Sequence, residues 1–403
     1  MLIRFSDGLI YSNDYRVELM KVGILIDQLA PGSAPKVVGQ EVKGLKTLGY
    51  DCEAIVLKKG YAKTYNFHLY GVPITCLSDS FPSMVNILDV KFPGFSFFST
   101  HHITSSIFAP FVVKEREWDV LVAHISFTCL TARMLSKLRK IPYLAFIGTE
   151  PHYYLTPRIY SQSLLGPLMP VLVPLAFNFD KYVVEDCLAI ITYSKFYHNL
   201  IRPYTDKELE VVHPGCFPVD RPNEKRENFI LTYDRWDIGN TPRIFLDMLP
   251  RLNREINLVV AGHWHPQSIQ TSFLQKVVER GLSGRVRVLG PINEEGITEL
   301  CSRALVHVHP NKEAFGMQSL EAAGCGCPTV IPAGSGVTEI LKDGEHGLFP
   351  KDESIDSYVE CVDKIVADPE KAKKMGREAW KVAKRNTWTE HSKRLAHLIN
   401  KYV

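Results

Sequence analysis

The sequence predicts an α/β protein built from two Rossmann-like, doubly wound domains that face a central cleft. Three observations carry this. A chain of 403 residues exceeds one ordinary core and suits two domains of about 150–200 residues each. Along it, an apolar run, a turn and a helical pattern alternate, the mark of parallel βαβ units. That alternation breaks at the polar stretch 205–228 and then restarts.

Taken in order, residues 1–19 carry charges throughout and no apolar core, so they are expected as an extension without a secretory signal. A first domain is expected over 20–204. KVGILID (21–27) is its first strand, QLAPGSAP (28–35) a loop, and KVVGQEVKGLKTLG (36–49) an amphipathic helix closed by Gly49. CEAIVL (52–57) and DVLVAHIS (119–126) are further strands. Residues 128–140 form a helix, IPYLAFIG (141–148) a strand, and LAIITYS (188–194) a last strand whose Ser194 caps the helix after it.

A second domain is expected over 205–385. Its strands are FILTYD (229–234), INLVVAG (256–262), VRVLG (286–290), ALVHVHP (304–310), PTVIP (328–332) and GLFP (347–350). Thr241 as N-cap with Pro242 behind it starts one helix. From 369 to the end the pattern is charged-amphipathic helix. In such folds ligands meet the carboxyl ends of the strands.

Composition narrows the function. A formal charge of +3 without a basic stripe gives no footprint for nucleic acid. Nine cysteines without a CxxC pair read as reduced thiols in a cytoplasmic protein. The apolar stretch 164–179 holds three prolines and is too short to span a bilayer. With the aromatic-rich segment 81–111, it reads either as core and loop or as a surface for an apolar acceptor, with peripheral contact at a membrane face.

The chemistry concentrates in EAFGMQSLE, residues 313–321. Strand 304–310 delivers Glu313 to a loop, Gly316 allows a tight turn, and a helix follows carrying Glu321. A helix start offers free N–H groups and partial positive charge to an anion, and carboxylates accept strongly from sugar hydroxyls. This stretch, with the block running through GCGCPTVIPAGSGVTEILKDGEHGLFP to residue 350, resembles the E-x7-E motif of the retaining glycosyltransferases of family 4, which have the GT-B fold. The resemblance runs over nearly the whole chain from Met20.

What it implies is specific. Glu313 would hold the donor sugar's hydroxyls, with the amides of Phe315, Gly316 and Met317. Ser319 and Leu320 would meet the diphosphate through their amides, and Glu321 the nucleotide ribose. His124 would lie beside the reacting carbon, Gly32 and Ser33 in the loop facing the diphosphate, and residues 386–403 would cross back onto the first domain. Arg235 matches one of two phosphate-clamping cations. The other, a lysine, is replaced by Asn240, and a glycine by Asp234; Lys312, one residue before Glu313, and Arg243, in the first helical turn, are the candidates to compensate. Gly148, where relatives carry histidine, bears on the acceptor side.

The expected activity is transfer of a hexose from a nucleotide-sugar such as a UDP- or GDP-sugar to a glycan, lipid-linked or small-molecule acceptor, with retention and without a cofactor or bound metal. The alternative is a sugar-nucleotide-binding protein with little turnover, because of Asn240; a third is another GT-B enzyme such as an epimerase or phosphorylase. The paired histidines His263/His265 and His307/His309 show no third ligand in sequence and are read as packing residues. Glu339 reads equally as a helix cap or as support for the donor loop.

Overall fold

The computed structural model describes residues 19–27, 33–58, 71–81, 100–148, 166–237 and 240–403. Seven strands form the first sheet: β1 (Lys21–Ile26), β2 (Asp51–Val56), β3 (Ile74–Cys76), β4 (Val120–His124), β5 (Tyr143–Phe146), β6 (Ile190–Thr192) and β7 (Leu209–Val211), ordered β3-β2-β1-β4-β5-β6-β7 and parallel throughout. Its central strands are buried on both faces, which is why they read as unbroken apolar runs. One face packs against α2 (Thr100–Val112), α3 (Ser126–Arg139) and α4 (Met169–Val184). The other packs against α1 (Ser33–Thr47) and the chain's last helix. Ahead of β7 lies α5 (Lys195–Ile201), whose N-cap Ser194 accepts from the Tyr197 amide as expected.

The second sheet contains β8 (Glu227–Trp236), β9 (Asn257–Trp264), β10 (Val286–Val288), β11 (Ala304–Val308) and β12 (Thr329–Val330), ordered β10-β9-β8-β11-β12 and again parallel. Around it lie α6 (Ile244–Met248), α7 (Gln267–Glu279), α8 (Glu294–Arg303), α9 (Met317–Gly324), α10 (Ile355–Ala367) and α11 (Pro369–Lys384). Helix α12 (Trp388–Tyr402) leaves this domain and buries Leu395, Leu398 and Ile399 against α1 and the first sheet. A separate cluster lies where the domains meet, joining Val37 of α1 to Phe315, Met317 and Leu320 around the start of α9 and to Trp388 of α12.

The structure corrects several details. β3 and β7 have three residues each, too few for a periodic signal. β7 pairs with β6 in the first sheet, past the boundary expected at 204/205. GLFP forms only isolated bridges, Leu348 to Val330 and Gly347 to Asp343. Thr241 is not a cap: α6 begins at Ile244 after Arg243, without a side-chain capping bond, and gives way after Met248 to a 3-10 turn containing Pro250. A proline there lacks the N–H that an α-helix needs and crowds the preceding turn.

Candidate active site

Both sheets reverse strand order about their first strand, β1/β4 in one and β8/β11 in the other. Ligands of open parallel sheets bind outside the carboxyl ends at that switch point. β8 ends in Asp234, Arg235 and Trp236, and β11 leads through His309 and Asn311 to Glu313. Gly316, at φ 96°, turns the chain into α9. A Cβ there would meet Val337 Cγ1 at 3.3 Å, and left-handed φ already disfavours side chains. The loop is pinned by Gly336 N–H to the Glu313 carbonyl (3.2 Å) and Val337 N–H to the Phe315 carbonyl (2.6 Å).

The amides of Ser319 and Leu320 both donate to the Gly316 carbonyl, at 3.2 and 3.4 Å. They are therefore used within the turn, contrary to the expectation that they face a diphosphate. Among the described residues, the amides of Met317 and Gln318 have no backbone partner, so the helix presents its free N–H groups earlier in the turn.

Glu313, a third exposed, has its carboxyl pushed up to about 7 by burial and by the Asp234 carboxylate, against the pull of His309 and Arg235. Asp234 is held low: burial would raise it, but His309, Asn240 and the Arg235 amide outweigh that. Its Oδ1 accepts from the Arg235 amide (2.7 Å) and Gln318 Nε2 (3.1 Å), and its Oδ2 from Asn240 Nδ2 (2.7 Å). Asn240 Oδ1 in turn accepts from Asn311 Nδ2 at 2.6 Å, tying the ends of β8 and β11 together. Burial would lower His309, yet Asp234 and Glu313 carry it up to about 9.

At the other end, Glu321 Oε1 meets Lys36 Nζ of α1 at 2.5 Å, and Oε2 lies 2.9 Å from the Tyr233 hydroxyl. Lys36 also pairs with Glu294 at 2.6 Å. Beside Glu321 a cavity of about 450 Å³ is lined by Phe217, Glu294, Ile297, Thr298 and Cys325, adequate in size for part of a nucleoside. Nothing local in the sequence pointed to Lys36: its partners lie 258 and 285 positions away.

The cations sort differently. Arg235 is half exposed and pairs with Asp237 at 3.3 Å. Lys312 is exposed, with Nζ near Gly334, and Arg243 is exposed; among the described residues neither has an ion pair. Asn240 presents no charge and spends its amide on Asp234.

His124 departs from expectation. It is buried, its Nε2 lies 2.7 Å from Glu41 Oε2 and its Nδ1 3.5 Å from the Tyr193 hydroxyl, and its ring stacks on Phe146. Glu41 Oε1 meets His391 Nε2 of α12 at 3.0 Å, and His391 Nδ1 meets the His213 carbonyl. Both His124 nitrogens are thus engaged inside the first domain instead of facing a sugar. The sequence could not reveal this, because a buried glutamate on α1 looks like any polar helix position. Gly32 lies outside the described residues, and Ser33 is the exposed first residue of α1. Glu339 accepts from the Phe196 amide (3.1 Å) and pairs with His213 (3.1 Å), so it caps a helix of the other domain. The Ser194 hydroxyl donates to the Ala314 carbonyl at 2.7 Å, a further contact closing the domains together.

Two Rossmann-like domains with this cleft define a GT-B fold. Residues 218–382 match the family described as glycosyl transferases group 1. Among curated relatives, D-inositol 3-phosphate glycosyltransferase of Streptomyces bingchenggensis is 28% identical over 146 residues, covering 36% of this chain and 32% of that protein. The Mycobacterium bovis enzyme of the same name is 26% identical over 173 residues, covering 39% and 36%. The matched part thus spans about a third of these relatives' length. Anabaena HepE, solved with UDP-glucose, superposes with a TM-score of 0.73 at 15% identity, covering 95% of this chain and 100% of that one. Sucrose-phosphate synthase of Thermosynechococcus elongatus gives 0.74 at 16% identity, covering 95% and 98%.

Proposed function

We propose that this protein is a retaining glycosyltransferase that moves a hexose from a nucleoside-diphosphate sugar to an acceptor hydroxyl. The observation that carries the reading is the placing of Glu313 and Glu321 on either side of the α9 start at the switch point of the second sheet. Glu313 holds the sugar hydroxyls, and Glu321 takes the ribose beside the cavity. The free amides of Met317 and Gln318, with Arg235 and Lys312, stabilise charge developing on the departing diphosphate. The bond from the anomeric carbon to the phosphate oxygen breaks, the acceptor oxygen bonds on the same face, and its proton leaves with the diphosphate. No organic cofactor is needed.

A UDP-sugar is the first donor to try, since a solved structure of similar fold holds UDP-glucose. The curated relatives support a polyol hydroxyl as one acceptor class. A lipid-linked acceptor at a cytoplasmic membrane face is supported by exposed apolar stripes, Ile103, Ile107 and Phe111 on α2 and Val171 and Leu175 on α4. Among the described residues no helix is long and apolar enough to cross a membrane.

Binding without turnover is the second reading, favoured by the enclosed His124 and by Asn240. Glu313→Gln separates the two. A transferase loses about 10²–10³-fold in kcat with the nucleotide Kd nearly unchanged; a binding protein shows no turnover in either form.

A further inference from the structure

We infer that a cavity at the amino-terminal ends of the second sheet binds an anionic amphiphile, an acyl chain ended by a phosphate or carboxylate. It holds about 560 Å³, a volume usual for a small organic ligand. Its walls are the segment 221–226 ahead of β8, residues at the start of β8, β9, β11 and β12, and one face of α11. Asn228 lines it, whereas Arg235 of the donor cleft stands at the other end of the same strand. At about 3.3 Å per residue the two are roughly 20 Å apart, so the occupant is a different molecule from the donor.

Charge selects the sign of the occupant. Six cations and two carboxylates stand among the 21 lining residues, a surplus of four where the whole chain has a surplus of only three. Positive charge is thus gathered here while the remainder of the chain is close to neutral. Lys373, Arg377 and Lys381 recur every four residues along α11 and so share one face. Lys373 meets Glu370 and Lys381 meets Glu378, each at 2.8 Å, and Arg377 lies 3.9 Å from Glu224. Such surface pairs hold little energy and yield readily to a ligand anion. Arg221 and Lys225 are exposed, and among the described residues neither side chain has an ion pair or hydrogen bond. They are the cations left to hold a head group.

The floor selects an apolar body. Ile256, Pro328, Ile365 and Ala372 are buried, Leu305 and Val366 half-buried, so the cavity opens onto the edge of the core that packs β8, β9 and β11 against α10. Polar atoms that could read a base or a sugar are spent inside the protein. Arg226 donates to the carbonyls of Cys301, Ser302, Cys325 and Gly326, and Trp380 Nε1 to that of Val219. Asn223 and Asn253 accept through Oδ1 from the amides of Lys225 and Glu255. The wall is preformed as well: at Gly326, φ 67°, a Cβ would meet Pro222 at 2.5 Å, so segment 221–226 is seated directly on the turn after α9. An apolar floor under cations whose stems extend over it matches a chain with an anionic head.

The test is calorimetric titration of the full chain with dodecyl phosphate below its micelle concentration, with tryptophan emission followed in parallel. The expected result is one site per chain with Kd below about 100 μM. Hexyl phosphate should bind about 100-fold more weakly or worse, for the methylenes it lacks. Arg221→Gln combined with Lys225→Gln should weaken dodecyl phosphate about tenfold or more. Lys374→Gln, an exposed cation of α11 that does not line the cavity, should leave it alone, and melting curves of each variant verify folding. The emission change should vanish in Trp380→Phe, which places the chain here and not on the apolar stripes of α2 and α4. Cosedimentation with phosphatidylcholine vesicles, with and without phosphatidic acid, then names the source. Capture by phosphatidic acid that the double variant loses assigns a membrane lipid; binding of dodecyl phosphate without capture assigns a free amphiphile. Dodecyl phosphate that fails to bind, or binds no tighter than hexyl phosphate, overturns the site. So does affinity kept in the double variant, or an emission change kept in Trp380→Phe. None of these readouts depends on transfer activity.

Discussion

Glu313 and Glu321 were legible in the sequence because one contiguous loop-and-helix segment carries both. Asp234 and His309 were not, since they belong to neighbouring strands and meet only when β8 and β11 pair. Of the paired histidines, His309, just past the end of β11, gains Asp234 and Glu313 as neighbours in three dimensions, and His307 does not. Asn240 acquires a different meaning too. Its Nδ2 lies 2.7 Å from Asp234 Oδ2, so Asn240→Lys would place an ammonium against that carboxylate and not free in the cleft. The expected outcome is a change in transfer rate of less than about threefold, read as nucleoside diphosphate released. At Glu321 a charge-assisted acceptor is lost on change to Gln, which should cost about 1.5–3 kcal/mol of nucleotide affinity, measured by calorimetric titration. A Kd moved by less than about twofold would remove Glu321 from the ribose.

Among the elements, long buried strands and amphipathic helices were readable, and short edge strands were not. β3 and β7 are three-residue pieces whose pairing comes from their neighbours. The start of α9 depends on Gly316. Gly316→Ala would force a side chain into left-handed φ and against Val337, costing about 1–2 kcal/mol, and should weaken nucleotide binding together with the melting temperature. Docking of α12 has an electrostatic as well as an apolar part. Burial would raise the Glu41 carboxyl, but the charges and hydrogen bonds of His124 and His391 hold it below its ordinary value of 4.5. A depressed carboxylate stabilises the fold above that ordinary value, and the contribution fades as pH falls through the folded-state value. Glu41→Gln should therefore lose about 3–5 kcal/mol near neutral pH, with the gap to wild type closing under acid. Urea unfolding at several pH values measures this. A gap that widened in acid would contradict the assignment.

Over the whole molecule, the two parallel sheets follow from the alternation of apolar runs and helices, and the returning helix α12 from the resemblance to family 4. The closing of the domains does not. Lys36 joins Glu321 and Glu294 across the cleft, Glu339 caps α5, and Ser194 reaches Ala314. None of these pairs shares a local pattern, because each is made by folding two distant domains together. They place α1 directly over the carboxylate assigned to the ribose, so donor entry and Lys36 compete for one group. The most direct measurement of the central claim is nucleoside diphosphate release from a panel of UDP-, GDP- and ADP-hexoses by the full chain, offered polyol, glycan and lipid acceptors. The account predicts release with one nucleotide class, dependent on acceptor and reduced about 100-fold or more in Glu313→Gln. Failure to bind any of these donors, or release that Glu313→Gln leaves unchanged, would contradict it.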